Sequence, residues 1–191
     1  MSRLHSFIFT IVLALSSVAA ADYEDGINAA FEGDYETALR EFTAAAEAGL
    51  DLAQFNLALL YYNGQGVKQS FRNALEWAEK AGNQGHATAQ YMLGTLYYNG
   101  QGTRSNAAQA LEWYQLAAAQ GHAQAQYNLA TMYRDAEGTE QDLVKAHFWA
   151  NVARENEFAP AQELQQEIAR MMTNDQQRQA EQDFIEWLLA R

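Results

Sequence analysis

The stretch "AQYMLGTLYYNGQGTRSNAAQALEWYQLAAAQGH", Ala89–His122, decides how the whole chain is read. Its centre, "YYNGQG" at Tyr97–Gly102, is also written at Tyr61–Gly66. Paired glycines can cradle a phosphate or can end a helix, and the flanks choose between the two. From Ala53 the chain reads "AQFNLALLYYNGQGVKQSFRNALEWAEKAGNQGH", and from Ala125 "AQYNLATMYRDAEGTEQDLVKAHFWANVARENE", so the register steps by 36 residues each time. Tyr61, Tyr97 and Tyr133 keep that step, as do Trp77, Trp113 and Trp149, and Gly49, Gly85 and Gly121. A fixed period of this length marks one supersecondary unit stacked on copies of itself.

Each unit reads as two helices. Ala53, Leu57 and Tyr61 stand at i, i+4 and i+8, one stripe of a 3.6-residue helix, and Ala74, Leu75, Trp77 and Ala78 form a second stripe. Ser70, Asn106 and Asp142 precede the second helix and are residue types that accept from free helical N–H groups, so they read as N-caps. Asn106 with Gln109 has the spacing of a capping box. Gly85 and Gly121 follow the second helix, where a left-handed residue is usual. The paired glycines therefore follow a helix rather than a strand, and no "GK[ST]" ending is present, so neither phosphate-loop context is met. The three tryptophans are expected in the core.

The flanks extend the array. "DGINAAFEGDYETALREFTAAAEAG", Asp25–Gly49, is a shorter helix pair, and "APAQELQQEIARMM" restarts in register at Ala161. "TNDQQRQAEQDFIEWLLAR" supplies a last helix capped by Thr173, with Ala180, Phe184, Trp187 and Leu188 as its buried stripe and Asp175, Glu181 and Asp183 facing water. The expectation is an all-α chain of about five stacked helix pairs in one continuous solenoid.

The first residues differ in kind. Arg3 and His5, then an apolar run from Phe7 to Leu15, then small residues through Ala21, have the layout of a cleavable signal peptide. The run is too short for a bilayer span of ~20 residues. The expected organisation is residues 1–21 as signal and 22–191 as solenoid. The solenoid divides into an N-terminal unit 23–49, repeats 53–88, 89–124 and 125–160, and a capping pair 161–191. Periplasmic or secreted location follows, with no membrane insertion after cleavage. Removing residues 1–21 takes away Arg3 and no acid, which moves the formal net charge from −12 to −13. Such a surface repels nucleic acid and anionic headgroups and suits a basic or neutral partner. With no cysteine there is neither disulfide nor thiol chemistry.

The pattern "AQYNLA…Y", then "GQG" and an N-cap, then "ALEW…AAAQGHA", resembles the Sel-one-like repeat, a relative of the tetratricopeptide repeat. "FEGDYETALREF" is closer to a plain tetratricopeptide unit, while the third repeat departs at Ala136–Glu137 and puts Glu157 in place of the closing glycine. The resemblance implies a right-handed α/α solenoid whose first helices line a concave groove. It also implies a non-catalytic adaptor, exported members being envelope regulators, assembly factors or infection-related proteins.

On the face opposite Ala53, Leu57 and Tyr61 stand Phe55, Asn56, Leu59 and Tyr62. Their equivalents are Tyr91, Met92, Thr95 and Tyr98, then Tyr127, Asn128, Thr131 and Arg134. The resemblance puts this stripe on the concave side, where aromatic area and side-chain amides suit a peptide. At Phe55, Tyr91 and Tyr127, packing between units competes with recognition; Tyr62 and Tyr98 lie nearer the rim. His86 and His122 read as repeated helix-entry residues with no third ligand placed, and His147 as a half-buried core histidine. There is no "GxSxG" or "HExxH", and the acids are spread as solvated charge, so no catalytic residue, metal or cofactor is assigned. The expected partner is an envelope protein or peptide. The alternative is a peptidoglycan or exported-polysaccharide binder, and a cell-wall hydrolase is the third class.

Overall fold

The computed structural model describes residues 18–190, and the apolar run Phe7–Leu15 expected to direct export lies outside them. Among the described residues there are ten helices and no strand. Helix α1 covers 18–32, and α2 (Tyr35–Glu47), α3 (Asp51–Asn63), α4 (Phe71–Asn83) and α5 (Ala87–Asn99) follow. Then come α6 (Ala107–Ala119), α7 (Ala123–Asp135), α8 (Leu143–Glu155), α9 (Pro160–Met171) and α10 (Asn174–Leu189). They form two compact units, one ending at Ala89 and one starting at Gln90. Consecutive helices pair within each: α2 on α3 and α3 on α4 in the first, α6 on α7, α7 on α8 and α8 on α9 in the second, with α10 also on α8.

Alanine makes that pairing close. Ala53, Ala74 and Ala78 in the first unit, and Ala110, Ala125 and Ala146 in the second, are fully buried where the helices meet. Leu57 and Leu129, equivalent positions, fill the gaps beside them. The three repeated tryptophans do not lie in this core as expected. Each is half-buried, because an alanine-filled seam leaves no room for an indole; Trp77 and Trp149 lie against its edge. In α10, Ala180 and Phe184 are buried and Trp187 half-buried, whereas Leu188 faces solvent.

Local chemistry sets the helix ends. Ser70, Asn106 and Asp142 accept from the backbone N–H three residues on, at 3.2, 3.1 and 2.9 Å. The reciprocal half of a capping box is missing at Asn106, because its backbone N–H donates to Tyr97 O instead. Thr173 and Gln176 make a complete one. His86 and His122 also act as caps: their Nδ1 atoms accept from Ala89 N and Ala125 N at 3.1 and 3.3 Å.

The glycine loop is closed on itself. In its first copy, Gly64 N and Gln65 N donate back to Leu60 O, and Ser70 N donates to Tyr61 O. Gln69 Nε2 donates to Tyr62 O. The same bonds recur at Asn106 N to Tyr97 O and at Asp142 N to Tyr133 O. Ser105 Oγ and Gln141 Nε2 likewise seal the Tyr98 and Arg134 carbonyls. In the first copy, Gly64 N, Gln65 N and Ser70 N are thus spent inside the loop. The last glycine also allows a close backbone approach. A Cβ on Gly66 would stand 2.2 Å from the Tyr35 carbonyl oxygen, and one on Gly138 2.4 Å from the Ala107 carbonyl carbon. The first and third loops thus rest their backbones on the start of a second helix one repeat earlier.

The third loop carries a non-glycine residue in left-handed backbone, Ala136 at φ 59°, and Glu157 at φ 61° closes that repeat where Gly85 and Gly121 close the others. Ala136→Gly is expected to stabilise the fold by about 1 kcal/mol, since αL costs an L-residue ~1–2 kcal/mol. Gly138→Ala would both place a side chain in left-handed backbone and press it into a neighbouring backbone. It is expected to cost more than about 2 kcal/mol. Urea unfolding of the two variants checks both signs within one loop. A separate expectation concerns His122, whose pKa burial holds below 6.5. The unfolded ring binds a proton where the folded ring does not, so its contribution is complete above pH 6.5 and is lost as pH falls below it. The unfolding temperature should decline from pH 7 to pH 5, and less steeply in His122→Asn, whose amide caps without titrating.

Candidate functional site

One exchange within the repeat opens a hollow in the second unit. Where the other repeats have Ala78 and Ala150, α6 has Tyr114; where they have Ala58 and Ala130, α5 has Gly94. An added Cβ on Gly94 would lie 2.5 Å from Tyr114 Cδ1, so the ring occupies the notch that the glycine leaves. Tyr114 is only 3% exposed, and its hydroxyl lies 3.2 Å from Thr95 Oγ1. Burial raises its pKa, while hydrogen bonds to Thr95 and Asn128 oppose the rise.

Above that ring is a hollow of about 180 Å³. Tyr98 on α5 and Tyr127, Asn128 and Thr131 on α7 wall it, with Tyr114 and Met132 beneath and Glu137, from the α7–α8 loop, at the side. Tyr98 Oη donates to Glu137 Oε2 at 2.6 Å. That bond, then burial, then the Glu137 charge push the Tyr98 hydroxyl up to about 12.

The first unit has a counterpart two repeats earlier. Phe42 replaces Tyr114 and again faces a glycine: a Cβ on Gly26 would stand 2.6 Å from Phe42 Cδ1. The hollow there, about 280 Å³, is bordered by Phe31, Phe42, Asn56, Leu59 and Gln65 among others. Leu59 and Gln65 hold the places of Thr131 and Glu137. Among the described residues, no charged side chain borders it.

The structure divides the stripe expected from sequence. Tyr98, Tyr127, Asn128 and Thr131 converge on the second hollow, and Asn56 and Leu59 on the first. Phe55 stacks on His86 at 4.6 Å, Tyr91 on His122 at 4.4 Å, and Tyr127 meets Phe158, the third residue in that column, at 5.3 Å. These rings thus brace one helix start per repeat. Tyr62 packs edge-on to Phe71 at 5.2 Å. Thr95 spends its hydroxyl on Tyr91 O and Tyr114. Met92 is a correction: at 8% exposure its apolar side chain is buried, where the amides at its equivalents Asn56 and Asn128 are half-buried and border the hollows. Arg134 is bonded to Asp135 twice, at 2.7 Å each, and to Glu167 at 3.2 Å. Tyr114 and Glu137 were not among the expected site residues. The signal for both was in the repeat columns, where Tyr114 stands between Ala78 and Ala150 and Glu137 follows Gln65 and Gln101.

The Sel1 repeat family model matches residues 51–86, 87–122 and 123–156. Among solved structures, the chain is similar to a protective antigen of uropathogenic Escherichia coli strains that displays an SLR fold, with TM-score 0.72 and 34% identity over 75% of this chain and 32% of that one. It is also similar to a Sel1 repeat protein from Oxalobacter formigenes, with TM-score 0.73 and 32% identity over 77% of this chain and 62% of that one. The chain therefore spans less than two thirds of either. No curated protein matches.

The notch and the ring are expected to be coupled. Gly94→Ala alone should destabilise by ~1–3 kcal/mol through overpacking. Adding Tyr114→Ala, which recreates the pair found at 58 and 78, should then cost at least ~1 kcal/mol less than Tyr114→Ala does in the native chain. Denaturant unfolding of the four proteins in this cycle measures the coupling, and additive effects would dissolve the pairing.

Proposed function

The chain belongs to the Sel1 repeat family, and on that premise we propose that it is an exported, non-catalytic adaptor holding an extended segment of an envelope protein. Sel1 repeat proteins generally mediate protein–protein interaction. The observation that carries the reading is the tyrosine-walled hollow of the second unit, where aromatic faces, an amide and hydroxyls surround room for a side chain. The uncharged hollow in the first unit, bordered by Asn56 and Leu59, offers a second such place. Export rests on the composition of residues 3–21.

A second reading has its own support. A wider hollow in the second unit, about 610 Å³, is walled by Tyr133, Phe148, Trp149 and Trp187, with Asp183 and Glu186 at its edge. Aromatic faces beside carboxylates suit the rings and hydroxyls of a sugar, which favours a peptidoglycan or exported polysaccharide as the bound polymer.

The test is crosslinked capture from a bacterium exporting the full chain, beside a Tyr62→Ala/Tyr98→Ala variant of unchanged helicity. The expected result is a processed chain in the exported fraction and one enriched protein that the variant loses. A partner retained by the variant would move the site elsewhere. Recovery of wall polymer without protein would favour the second reading.

A further inference from the structure

We propose that the hollow between α5 and α7 is a receptor for one basic side chain of the bound segment, an arginine guanidinium foremost; this rests on the adaptor reading and specifies its chemistry. Its room, about 180 Å³, equals about six waters' worth and admits a single long side chain rather than backbone. Three tyrosines, at 98, 114 and 127, surround it, and aromatic faces attract cations through their quadrupole. Glu137 adds the charge. Tyr98 occupies its Oε2, which orients the carboxylate while leaving Oε1 for a cation. A guanidinium is flat, stacks on aromatic faces and is weakly hydrated, so it suits this combination better than an ammonium.

The surroundings reinforce that polarity. Of the residues that border the hollow only Glu137 is charged; Arg134 and Asp135 precede it in the chain, and Glu167 of α9 is bonded to Arg134. Arg134 is forked onto Asp135 and tied to Glu167, so its charge is cancelled twice over and its guanidinium is held at that pair. One cation against three carboxylates leaves this cluster net negative, and Glu137 is the member that borders the hollow; its hydrogen bond to Tyr98, then burial, then its charge push that hydroxyl up to about 12.

The first unit supplies an internal control. Its hollow is built on the same frame, a glycine notch under an aromatic ring, yet with Gln65 in the place of Glu137 it is neutral. The column reads Gln65, Gln101, Glu137. Only the third repeat puts a carboxylate there, and it does so beside the tyrosines.

The experiment titrates the purified chain with acetyl-Gly-Arg-Gly-amide and with the citrulline tripeptide, which keeps the shape and lacks the charge. The readout is the ring NMR resonances of Tyr98 and Tyr127. Saturable shifts are expected with the arginine peptide, and binding roughly tenfold weaker with citrulline. Glu137→Gln, which installs the residue of the other two repeats, should bring arginine down to the citrulline level with an unchanged unfolding temperature. Equal response to both peptides, no saturable response, or indifference to Glu137→Gln would overturn the assignment. If Glu137→Gln still captures the crosslinked partner that Tyr62→Ala/Tyr98→Ala loses, the adaptor reading stands and the basic side chain falls.

Discussion

A buried glutamine amide holds the repeats in register. Gln54 is 5% exposed, and its Nε2 donates at 3.1 Å to Ala46 O, a carbonyl in the last turn of α2 that also accepts from Gly49 N. Its Oε1 accepts from Gln84 at 2.8 Å, at the far end of the same repeat. The second unit repeats the clasp: Gln126 donates to Ala118 O at 3.0 Å and accepts from Asn156 at 2.8 Å, while Gln90 accepts from Gln120 at 2.7 Å. Donor and acceptor are both used, which is the condition under which a buried amide specifies structure rather than costing it. Shifting one repeat by a residue would strand these groups in an alanine seam, so the 36-residue step is fixed by hydrogen bonding as much as by burial.

With that spacing fixed, the size of a few side chains decides where room appears. An alanine facing an alanine, as at Ala58 and Ala78, closes the seam. Where a glycine faces an aromatic, at Gly26 with Phe42 and at Gly94 with Tyr114, a hollow is bordered by the ring. The column through Phe42, Ala78, Tyr114 and Ala150 alternates large with small, and a hollow lies over each large member.

Most of the fold was legible because its determinants are local. The caps at Ser70, Asn106 and Asp142, the left-handed glycines and the two-helix period all depend on neighbours within a few residues. What sequence reasoning missed depends on distance. Gln54 and Gln126 look like ordinary polar residues until their partners, 30 residues further on, are brought beside them. The last glycine of the loop reads as punctuation, yet its missing Cβ is required by a backbone one repeat away. The tryptophans repeat as faithfully as the core does, and periodicity alone could not tell a seam from its edge. At the site, four of the expected groove residues do meet around one hollow. The stripe that reads as uniform nevertheless divides three ways, into residues that brace a cap, line a hollow or fill the interior.

The third repeat illustrates how such a chain separates structure from recognition. Its loop, "RDAEG", departs from "YNGQG" at four places and reads as a decayed copy. The backbone is nevertheless the same: Ala136 takes the left-handed conformation of the lost glycine, Glu137 N donates to Met132 O as Gln101 N does to Leu96 O, and Gly138 keeps its close approach. The strain at Ala136 is tolerated because the closed loop around it over-determines the turn. With the backbone secured in this way, the side chains at 134, 135 and 137 set the local charge: one cation locked between two carboxylates, and one carboxylate left facing three tyrosine rings. In a repeat whose backbone is held by its neighbours, the positions free to carry function are those where the copies disagree.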